Sequence, residues 1–186
     1  MSPRLNPHTP ETMTPRQREI HDDIVSRRGR LGGPFPAWLR NPELAECAQK
    51  LGAYCRYDSN LTPQMSELAI LVVARHWTAS VEWAIHAPIA ERVGVPAAAI
   101  AAIRDNDQPE FDDRTSQVIY AYASELLRTT RVSDTLHERA VQVIGERRTV
   151  DLVALIGYYS LVALTLNAFD MPLPAGASDP FAPQSR

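Results

Sequence analysis

The sequence predicts an all-α protein, built as a bundle of about six to eight helices. Apolar residues recur at three- and four-residue spacing along most of the 186-residue chain, which is the spacing of one face of an α-helix. Several of these segments begin with a helix-capping signal. No stretch of useful length alternates apolar and polar residues as a half-buried strand would.

Three helix starts in the first half of the chain share one signal, a polar cap followed by proline at the first helical position. The signal occurs at Thr14 with Pro15, Asn41 with Pro42 and Thr62 with Pro63. The first helix should end at Gly29, and the stretch GRLGGPFPAWL that follows should be irregular. The helix after Thr62 is apolar on nearly every side, so we expect it at the centre of the bundle.

The second half of the chain predicts five further helices. We place them at residues 79–93, 96–104, 112–129, 133–147 and 149–169. The first of them contains Pro88, which should bend it, and stops at Gly94.

Proline-rich ends flank a single predicted domain. Proline and small polar residues bury too little surface to offset the entropy cost of ordering the chain. We therefore predict an N-terminal arm over residues 1–13, one helical domain over 14–172 and a C-terminal tail over 173–186. Such arms can wrap a neighbouring subunit.

The net charge and the composition of the chain limit the kinds of partner that it can bind. With a net charge of -3 and a pI near 5.9, the chain lacks a basic footprint for phosphates, so we expect no nucleic-acid partner. We also expect no membrane partner, because no signal-peptide core is visible and no apolar run reaches about 18 residues. Cys47 and Cys55 would lie about 12 Å apart on one helix, too far for a disulfide. Reduced thiols favour a cytoplasmic protein.

The stretch ARHWTASVEWAIHAPIAERVG places polar groups in what reads as buried helix. Glu67 lies about one turn into its helix and His86 about two turns into the next. The short connection makes these helices antiparallel, which brings Glu67 and His86 together. Glu82 lies four residues before His86, on the same face. A buried carboxylate and imidazole that share a proton suit general acid–base catalysis.

Other interpretations of these residues stay open. A buried Glu–His hydrogen bond can simply pin two helices. His76, Glu82 and His86, together with Glu67, are a workable ligand set for a metal. However, no second histidine lies one turn from His86 on the same helix, so we expect no metal. A nucleophilic serine at Ser80 or Ser160 would lack the sharp turn that such nucleophiles occupy.

Several nearby side chains are candidate substrate contacts. Arg75 or His76 can meet a substrate carboxylate, and Trp77 and Trp83 can wall a pocket. Tyr158, in the apolar stretch GYYSLVALTLNAF, can direct its hydroxyl into that pocket. The aromatic residues are also well suited to ordinary core packing.

The chain contains ELAILVVARHWTASVEWAIHAPIAERVGVP, GPFPAWLRNPELAECAQKLGAYCRYDSNLTPQMSE and GYYSLVALTLNAFDMPLP. Together these segments, from about Gly33 to Pro174, resemble the carboxymuconolactone decarboxylase family. One branch of that family decarboxylates a small lactone acid from aromatic-ring degradation. The other resembles alkyl hydroperoxide reductase D, whose glutamate is followed by Cys-x-x-Cys and by a histidine four residues after the second cysteine.

The resemblance implies a proton-handling site without thiols. Glu67 and His86 match the glutamate and the histidine, whereas Ala79 and Glu82 stand at the cysteine positions. Because neither Ala nor Glu forms a sulfenate or a disulfide, no thiol peroxidase activity is expected. The resemblance also implies an all-helical fold that assembles as a homo-oligomer, a trimer or hexamer or else a dimer, with the site near a subunit interface.

The sequence therefore predicts a cofactor-free lyase or decarboxylase, or an isomerase, that acts on a small carboxylated or lactone substrate. His86 would be the general base or acid, Glu67 its orienting partner and Glu82 a second acid. The alternatives are a non-catalytic, ligand-binding helical oligomer, and a residual stress or antioxidant protein whose peroxide consumption depends on Cys47 or Cys55.

Overall fold

Nine α-helices and one π-helical turn form the secondary structure of the described residues, and no strand occurs among them. The computed structural model describes residues 4–6, 8–9, 11–29 and 31–182. In chain order the elements are α1 (Pro15–Arg28), α2 (Phe35–Trp38), α3 (Pro42–Ala53), the π-helical turn (Tyr54–Asp58), α4 (Pro63–His76), α5 (Ser80–Arg92), α6 (Ala97–Asp105), α7 (Arg114–Thr129), α8 (Asp134–Ile144) and α9 (Glu146–Ala168). The predicted all-α class is confirmed.

The three predicted cap-and-proline starts are confirmed. Gln17 N–H donates to Thr14 Oγ1 at 3.2 Å and Thr14 N–H donates to Gln17 Oε1 at 2.9 Å, which closes a capping box. Asn41 and Thr62 cap α3 and α4, each accepting a backbone N–H three residues further on. These local signals fix where the helices begin, whatever packs against them later.

The segment after α1 is more ordered than its glycines and prolines predict. Phe35 and Trp38 are buried in the four-residue helix α2. Trp38 Nε1–H donates to Thr165 Oγ1 of α9 at 3.0 Å. Burial of these two aromatic side chains outweighs the local helix-breaking tendency, and it adds one short helix to those that the sequence predicts. Residue 30 of the predicted irregular stretch lies outside the described residues.

The central position of α4 is also as predicted. Residues 65–74 are all buried, and the helix packs against α5, α7 and α9. Residues 77–79 alone connect α4 to α5, so the two helices run antiparallel. The middle of α4 is therefore shielded from water on every side.

α9 is the longest helix among the described residues, with 23 residues, and it has a buried and an exposed face. By length and composition it is apolar enough to cross a membrane, but 61% of its most apolar 18-residue window is buried inside the bundle, as in a core helix. Its exposed face carries what we call the α9 stripe: Val150, Val153, Gly157, Leu161 and Leu164.

Both proline-rich ends contact the helical domain through their described residues. Arg4 Nη1–H donates to the Ala168 carbonyl at 2.9 Å. The Phe181 ring packs edge-on against Trp83, with ring centroids 5.4 Å apart. Residues 1–3, 7 and 10 of the predicted arm and 183–186 of the predicted tail lie outside the described residues.

Candidate active site

Glu67 and His86 form a hydrogen-bonded pair between α4 and α5. His86 Nδ1 lies 2.7 Å from Glu67 Oε2, and the residues are 5% and 4% exposed, respectively. Each lies in the second turn of its helix, and the antiparallel arrangement brings these turns side by side. The structure therefore brings the two side chains together as the sequence predicts.

The hydrogen bond to Glu67 determines which imidazole nitrogen of His86 can react with another molecule. A Glu67 carboxylate can only accept hydrogen bonds, so His86 Nδ1–H is the donor. The lone pair of a neutral imidazole then lies on Nε2, where it can take a proton from another molecule. Tyr159 packs edge-on against the His86 ring at a centroid distance of 5.2 Å, which restricts its rotation.

Glu82 is the most deeply buried polar side chain among the described residues, with 1% of its surface exposed. Neither carboxyl oxygen has a hydrogen-bond partner within that part of the chain. Burial raises the pKa of Glu82 well above its usual value, and the nearby negative charge of Glu67 raises it further. Glu82 therefore favours its protonated form, which can donate a hydrogen bond or a proton.

A cavity of about 290 Å³, here called the active cavity, opens beside these groups. Glu82 and His86 line it, whereas Glu67 is not among the lining residues and supports His86 from behind. Much of the wall is apolar or aromatic, from side chains of α2, α5 and α9: Phe35, Ile85, Ile89, Tyr159, Val162 and Leu166. Such a wall limits water and strengthens electrostatic interactions inside the cavity.

Arg56 and Tyr57 reach the active cavity from the π-helical turn. The Arg56 guanidinium carbon lies 5.5 Å from the centroid of the Tyr57 ring. Ser59 N–H donates to the Tyr54 carbonyl at 2.8 Å, a bond that spans one residue more than in an α-helix. The wider turn gives Arg56 and Tyr57 directions that a continued α3 would not give them.

Asp151 of α9 anchors both ends of the π-helical turn. Its carboxylate accepts the Tyr54 hydroxyl at 2.7 Å and both the backbone and side-chain N–H groups of Asn60 at 2.9 Å. Burial alone would raise the pKa of Asp151, but the hydrogen bonds from Asn60 and Tyr54 hold it below its usual value. The turn that carries Arg56 is thus tied to the long core helix.

Tyr158 also lines the active cavity, as its predicted substrate contact requires. Its ring packs edge-on against Tyr159, with centroids 5.4 Å apart. On its other side Tyr158 lies against α3, where a Cβ added at Gly52 would overlap the tyrosine hydroxyl. Gly52 therefore provides the space that holds Tyr158 at the cavity wall.

Arg75 and His76, predicted to meet a substrate carboxylate, do not line the active cavity. They line a second cavity of about 660 Å³ at the last turn of α4. The reason is helix geometry, because eight or nine residues separate them from Glu67, which is about 12–14 Å along the axis. The structure therefore separates these two residues from the Glu67–His86 pair.

Trp77 and Trp83 are likewise absent from the wall of the active cavity. Trp77 Nε1–H donates to Ser160 Oγ at 3.1 Å, which ties the end of α4 to α9. Trp83 is buried and packs against Phe181. Both tryptophans occupy packing positions, which was the alternative that the sequence left open for them.

The described residues contain no cluster of three or more His, Cys, Asp and Glu that could hold a metal ion. Cys47 is exposed and Cys55 is buried, and both are free. Burial, and then the charge of Asp151, raises the pKa of Cys55 to about 11, so its unreactive thiol form dominates at neutral pH. Neither cysteine lines the active cavity.

Arg56, Tyr57, Phe35 and Tyr159 line the cavity although the sequence did not predict them as site residues. The stretch YCRYD offers one signal, an arginine that is followed directly by a tyrosine at the end of a helix. The π-helical turn itself has no such signal, because the apolar spacing of α3 continues through Cys55 without a break.

The fold is the all-helical fold seen in solved structures of the alkylhydroperoxidase AhpD type. No protein-family model matches the sequence, and no curated protein matches it. Among solved structures, an uncharacterized peroxidase-related protein from Ralstonia eutropha JMP134, described as an alkylhydroperoxidase AhpD core, has a TM-score of 0.77 at 12% identity, over 96% of this chain and 94% of that one. A peroxidase-related protein from Silicibacter sp. TM1040 has a TM-score of 0.72 at 15% identity, over 93% and 90%.

The debrominase Bmp8 has the same fold. Its apo structure has a TM-score of 0.72 at 14% identity and covers 91% of both chains. A cysteine-to-alanine variant of Bmp8 in complex with 2,3,4-tribromopyrrole has a TM-score of 0.73, also at 14% identity, over 92% and 91%. At these identities the likeness establishes the fold, which is the fold that the sequence resemblance implies.

Proposed function

We propose that this chain is a cofactor-free acid–base enzyme, a lyase of the decarboxylase kind or an isomerase, acting on a small carboxylated or lactone substrate. One observation carries the proposal. His86, oriented by the buried Glu67, and Glu82, a buried acid without a described partner, line the same cavity. An oriented base beside an acid that favours its proton is an arrangement suited to proton transfer.

Glu82 is the residue that a purely structural interpretation leaves unexplained. A hydrogen bond that pins α4 to α5 accounts for Glu67 and His86. It does not account for a second carboxyl group that is buried with both oxygens unbonded, because such burial costs stability. A substrate that accepts a hydrogen bond from Glu82 would satisfy this group.

An isomerisation would use the two groups in turn. His86 Nε2 removes a proton from a carbon next to a substrate carbonyl, and the electron pair of that C–H bond forms an enolate. The Glu82 carboxyl donates a hydrogen bond to the enolate oxygen. The resulting imidazolium, stabilised by Glu67, then returns the proton to a different carbon.

A decarboxylation would pass through the same enolate. The bond between the substrate and its departing carboxylate breaks, its electron pair forms the enolate, and CO₂ leaves. His86 enters this reaction as the imidazolium, so it protonates the carbon and then regains a proton from water. Both reactions move only protons and electron pairs, so neither requires a redox cofactor.

The names of the solved neighbours point to other chemistry, peroxidase-related in two cases and debrominase in the third. Here Ala79 and Glu82 stand at the positions that the family resemblance gives to cysteines. We therefore propose that this chain lacks thiol peroxidase activity. The tribromopyrrole complex of the Bmp8 variant supports a small ring as a ligand of this fold.

Non-catalytic ligand binding is the second candidate function, and the aromatic wall of the active cavity favours it. At about 290 Å³ the cavity lies at the lower end of the size range of small-molecule sites. In this case Glu82 and His86 would orient a ligand that leaves the protein unchanged.

Turnover measurements test the enzymatic proposal. The substrates are γ-carboxymuconolactone and related lactone acids, and the variants are His86→Ala and Glu67→Gln. His76→Ala is the matched control, because it removes a histidine outside the active cavity. We expect wild type and the control to turn over at least one of these acids, and His86→Ala to lose that activity. Equal rates in wild type and His86→Ala, or no turnover of any acid by wild type, would overturn the proposal.

We also propose that the chain forms a homo-oligomer in which copies meet through the α9 stripe. The stripe is nearly symmetric in sequence about Gly157, because Val153 and Leu161 lie four residues to either side and Val150 and Leu164 lie seven. Two antiparallel copies would pair valines with leucines and cross at the glycine. Light scattering should show a dimer or a larger assembly for wild type and a smaller species for Leu161→Glu.

The cytoplasm is the compartment that we propose for this protein. Both of its cysteines are free; Cys47 is exposed and Cys55 is buried. Free cysteines are typical of proteins in a reducing compartment.

A further inference from the structure

Arg56 is the one lysine or arginine among the described residues that line the active cavity. Its side chain is partly buried and lies over the Tyr57 ring. Within the described part of the chain it forms no ion pair, in contrast to Arg16 and Arg104, each of which pairs with a carboxylate. A guanidinium that faces a cavity without an acidic partner is available to an anionic ligand.

The structure holds Arg56 in place before any ligand arrives. The Tyr57 ring supports the guanidinium, and Asp151 anchors the π-helical turn on both sides of it. A side chain that is already ordered loses less conformational entropy when it binds a ligand. The turn therefore presents a fixed positive charge at the cavity.

Arg56 also lies close enough to the acid–base groups for its charge to be felt there. Burial raises the pKa of Tyr159 well above its usual value, and the positive charge of Arg56 opposes that rise. Tyr159 packs directly against His86. One small molecule that fills the cavity can therefore meet Arg56 and His86 together.

We propose that Arg56 binds a carboxylate of the substrate that is retained through the reaction, while the reacting carbon lies at Glu82 and His86. The inference rests on the proposed function and names its substrate class. Phe35, Ile85 and Val162 add an apolar surface to the same cavity, which fits an uncharged ring or short chain that separates the retained carboxylate from the reacting carbon.

Charge balance explains why the Arg56-bound carboxylate is retained. Loss of CO₂ removes negative charge from a carboxylate and moves it into the rest of the molecule. A guanidinium paired with that same carboxylate stabilises the starting state more than the transition state, so it would slow the reaction. A substrate of the decarboxylase must therefore carry two acid groups, whereas a substrate of the isomerase needs only one.

A pair of probes of the same shape tests Arg56 directly. Benzoate and benzamide differ in charge but hardly in size, and both are small enough for a cavity of about 290 Å³. Calorimetry measures their affinities for wild type, Arg56→Gln, Arg56→Lys and Arg75→Gln. The last variant is the matched control, because Arg75 lies at the second cavity. Chemical shifts of the His86 imidazole nitrogens report whether a bound probe lies in the active cavity.

We expect wild type to prefer benzoate over benzamide by about 10- to 100-fold, the range for a hydrogen bond to a charged group. Arg56→Gln should abolish the preference, Arg56→Lys should retain part of it and Arg75→Gln should leave it unchanged. Wild type without a preference, wild type that binds neither probe, or Arg56→Gln that keeps the preference would each overturn the inference. Thermal melting confirms that each variant is folded.

His86→Ala separates this inference from the proposed function. It should still prefer benzoate, because Arg56 is intact. If His86→Ala also retains full turnover of a lactone acid, the assigned acid–base chemistry is wrong while the carboxylate site stands. If turnover needs His86 but Arg56→Gln leaves KM for the acid unchanged, the carboxylate site is wrong while the acid–base chemistry stands.

Discussion

The second turn and the last turn of α4 both carry charged or titratable side chains, but the bundle places them in different environments. Glu67, in the second turn, is buried and bonded to His86. Arg75 and His76, in the last turn, are partly buried and exposed, respectively, beside a cavity that is more than twice as large as the active cavity. The size of a cavity is therefore a poorer guide to chemistry than the environment of its polar groups.

His76 and His86 illustrate this difference in environment. His76 is exposed overall, but partial desolvation of its ring, which packs against Trp77, lowers its pKa, and no described carboxylate bonds to it. His86 has a buried carboxylate on Nδ1 and a cavity on its other side. His86 is oriented because its partner Glu67 comes from the middle of α4, which is enclosed on all sides.

The largest expected effect contrasts these two histidines. Replacing His86 by alanine removes the base, so kcat on a lactone acid should fall by about 10²- to 10⁴-fold. Replacing His76 by alanine should leave kcat within about twofold, as for a substitution that touches no special feature. Steady-state kinetics measure both. Similar losses of kcat in the two variants would contradict the assignment of His86, rather than His76, as the base.

The next effect concerns Glu67, which acts on substrate only through His86. In Glu67→Gln the amide oxygen can still accept the Nδ1–H bond but cannot stabilise the imidazolium by charge. We expect kcat to fall by roughly 10- to 100-fold with little change in KM. A kcat equal to that of wild type would show that Glu67 is structural.

A smaller effect is expected at Gly52, where α3 approaches Tyr158. In Gly52→Ala the added methyl overlaps the tyrosine, so we expect a loss of about 1–3 kcal/mol in the free energy of unfolding. Urea unfolding measures it. Combining Gly52→Ala with Tyr158→Leu should recover most of the loss, because the ring that the methyl meets is gone. If the two changes simply add, the contact is not the cause.

Glu82→Gln should change stability in a way that depends on pH. The folded-state pKa of Glu82 is raised, so wild type is relatively most stable below the ordinary value of 4.5 and loses stability as pH rises from there toward the folded-state value. Glutamine has no proton to lose, so the variant lacks this decline. We expect its melting temperature to rise relative to wild type by a few degrees near pH 7, about the effect of 1 kcal/mol in a chain of this size.

Thermal scans at pH 4 and pH 7 check this sign. The gap between Glu82→Gln and wild type should be larger at pH 7 than at pH 4. A constant gap would indicate that the Glu82 carboxyl titrates alike in the folded and unfolded chains.

The smallest expected effect is at Arg75, which stacks on the Phe181 ring at 5.1 Å. Arg75→Gln should leave kcat and KM for a lactone acid within about twofold, because the side chain lies outside the active cavity. A tenfold rise in KM would instead return Arg75 to the substrate-binding role that its sequence position first suggested.

The sequence predicts well where local chemistry decides the outcome. The caps at Thr14, Asn41 and Thr62 act within one helical turn, and the approach of Glu67 to His86 follows from helix spacing and a short connection. Prediction from the sequence fails where contacts between distant segments determine the local structure. The order of α2 depends on Trp38 bonding to α9, and no local pattern announces the anchoring of the π-helical turn by Asp151.

Arg75 and His76 lie outside the active cavity for a different reason. Proximity in sequence to the Glu–His pair made them attractive as substrate contacts, yet the rise of a helix carries them away from it. Conversely, Arg56 is distant in sequence from His86 but lines the same cavity. Residues that complete a site from another element can be found only once packing is known.

The extra residue in the π-helical turn makes Arg56 sensitive to chain length. Each residue of a helix turns the side-chain direction by about 100°, so deleting one residue from Tyr54–Asp58 would convert the turn to α-helical winding and redirect every side chain up to Asn60. The turn would then lose the hydrogen bonds to Asp151 at one of its two ends. Insertions and deletions in this five-residue stretch should consequently harm carboxylate selection more than most single substitutions there.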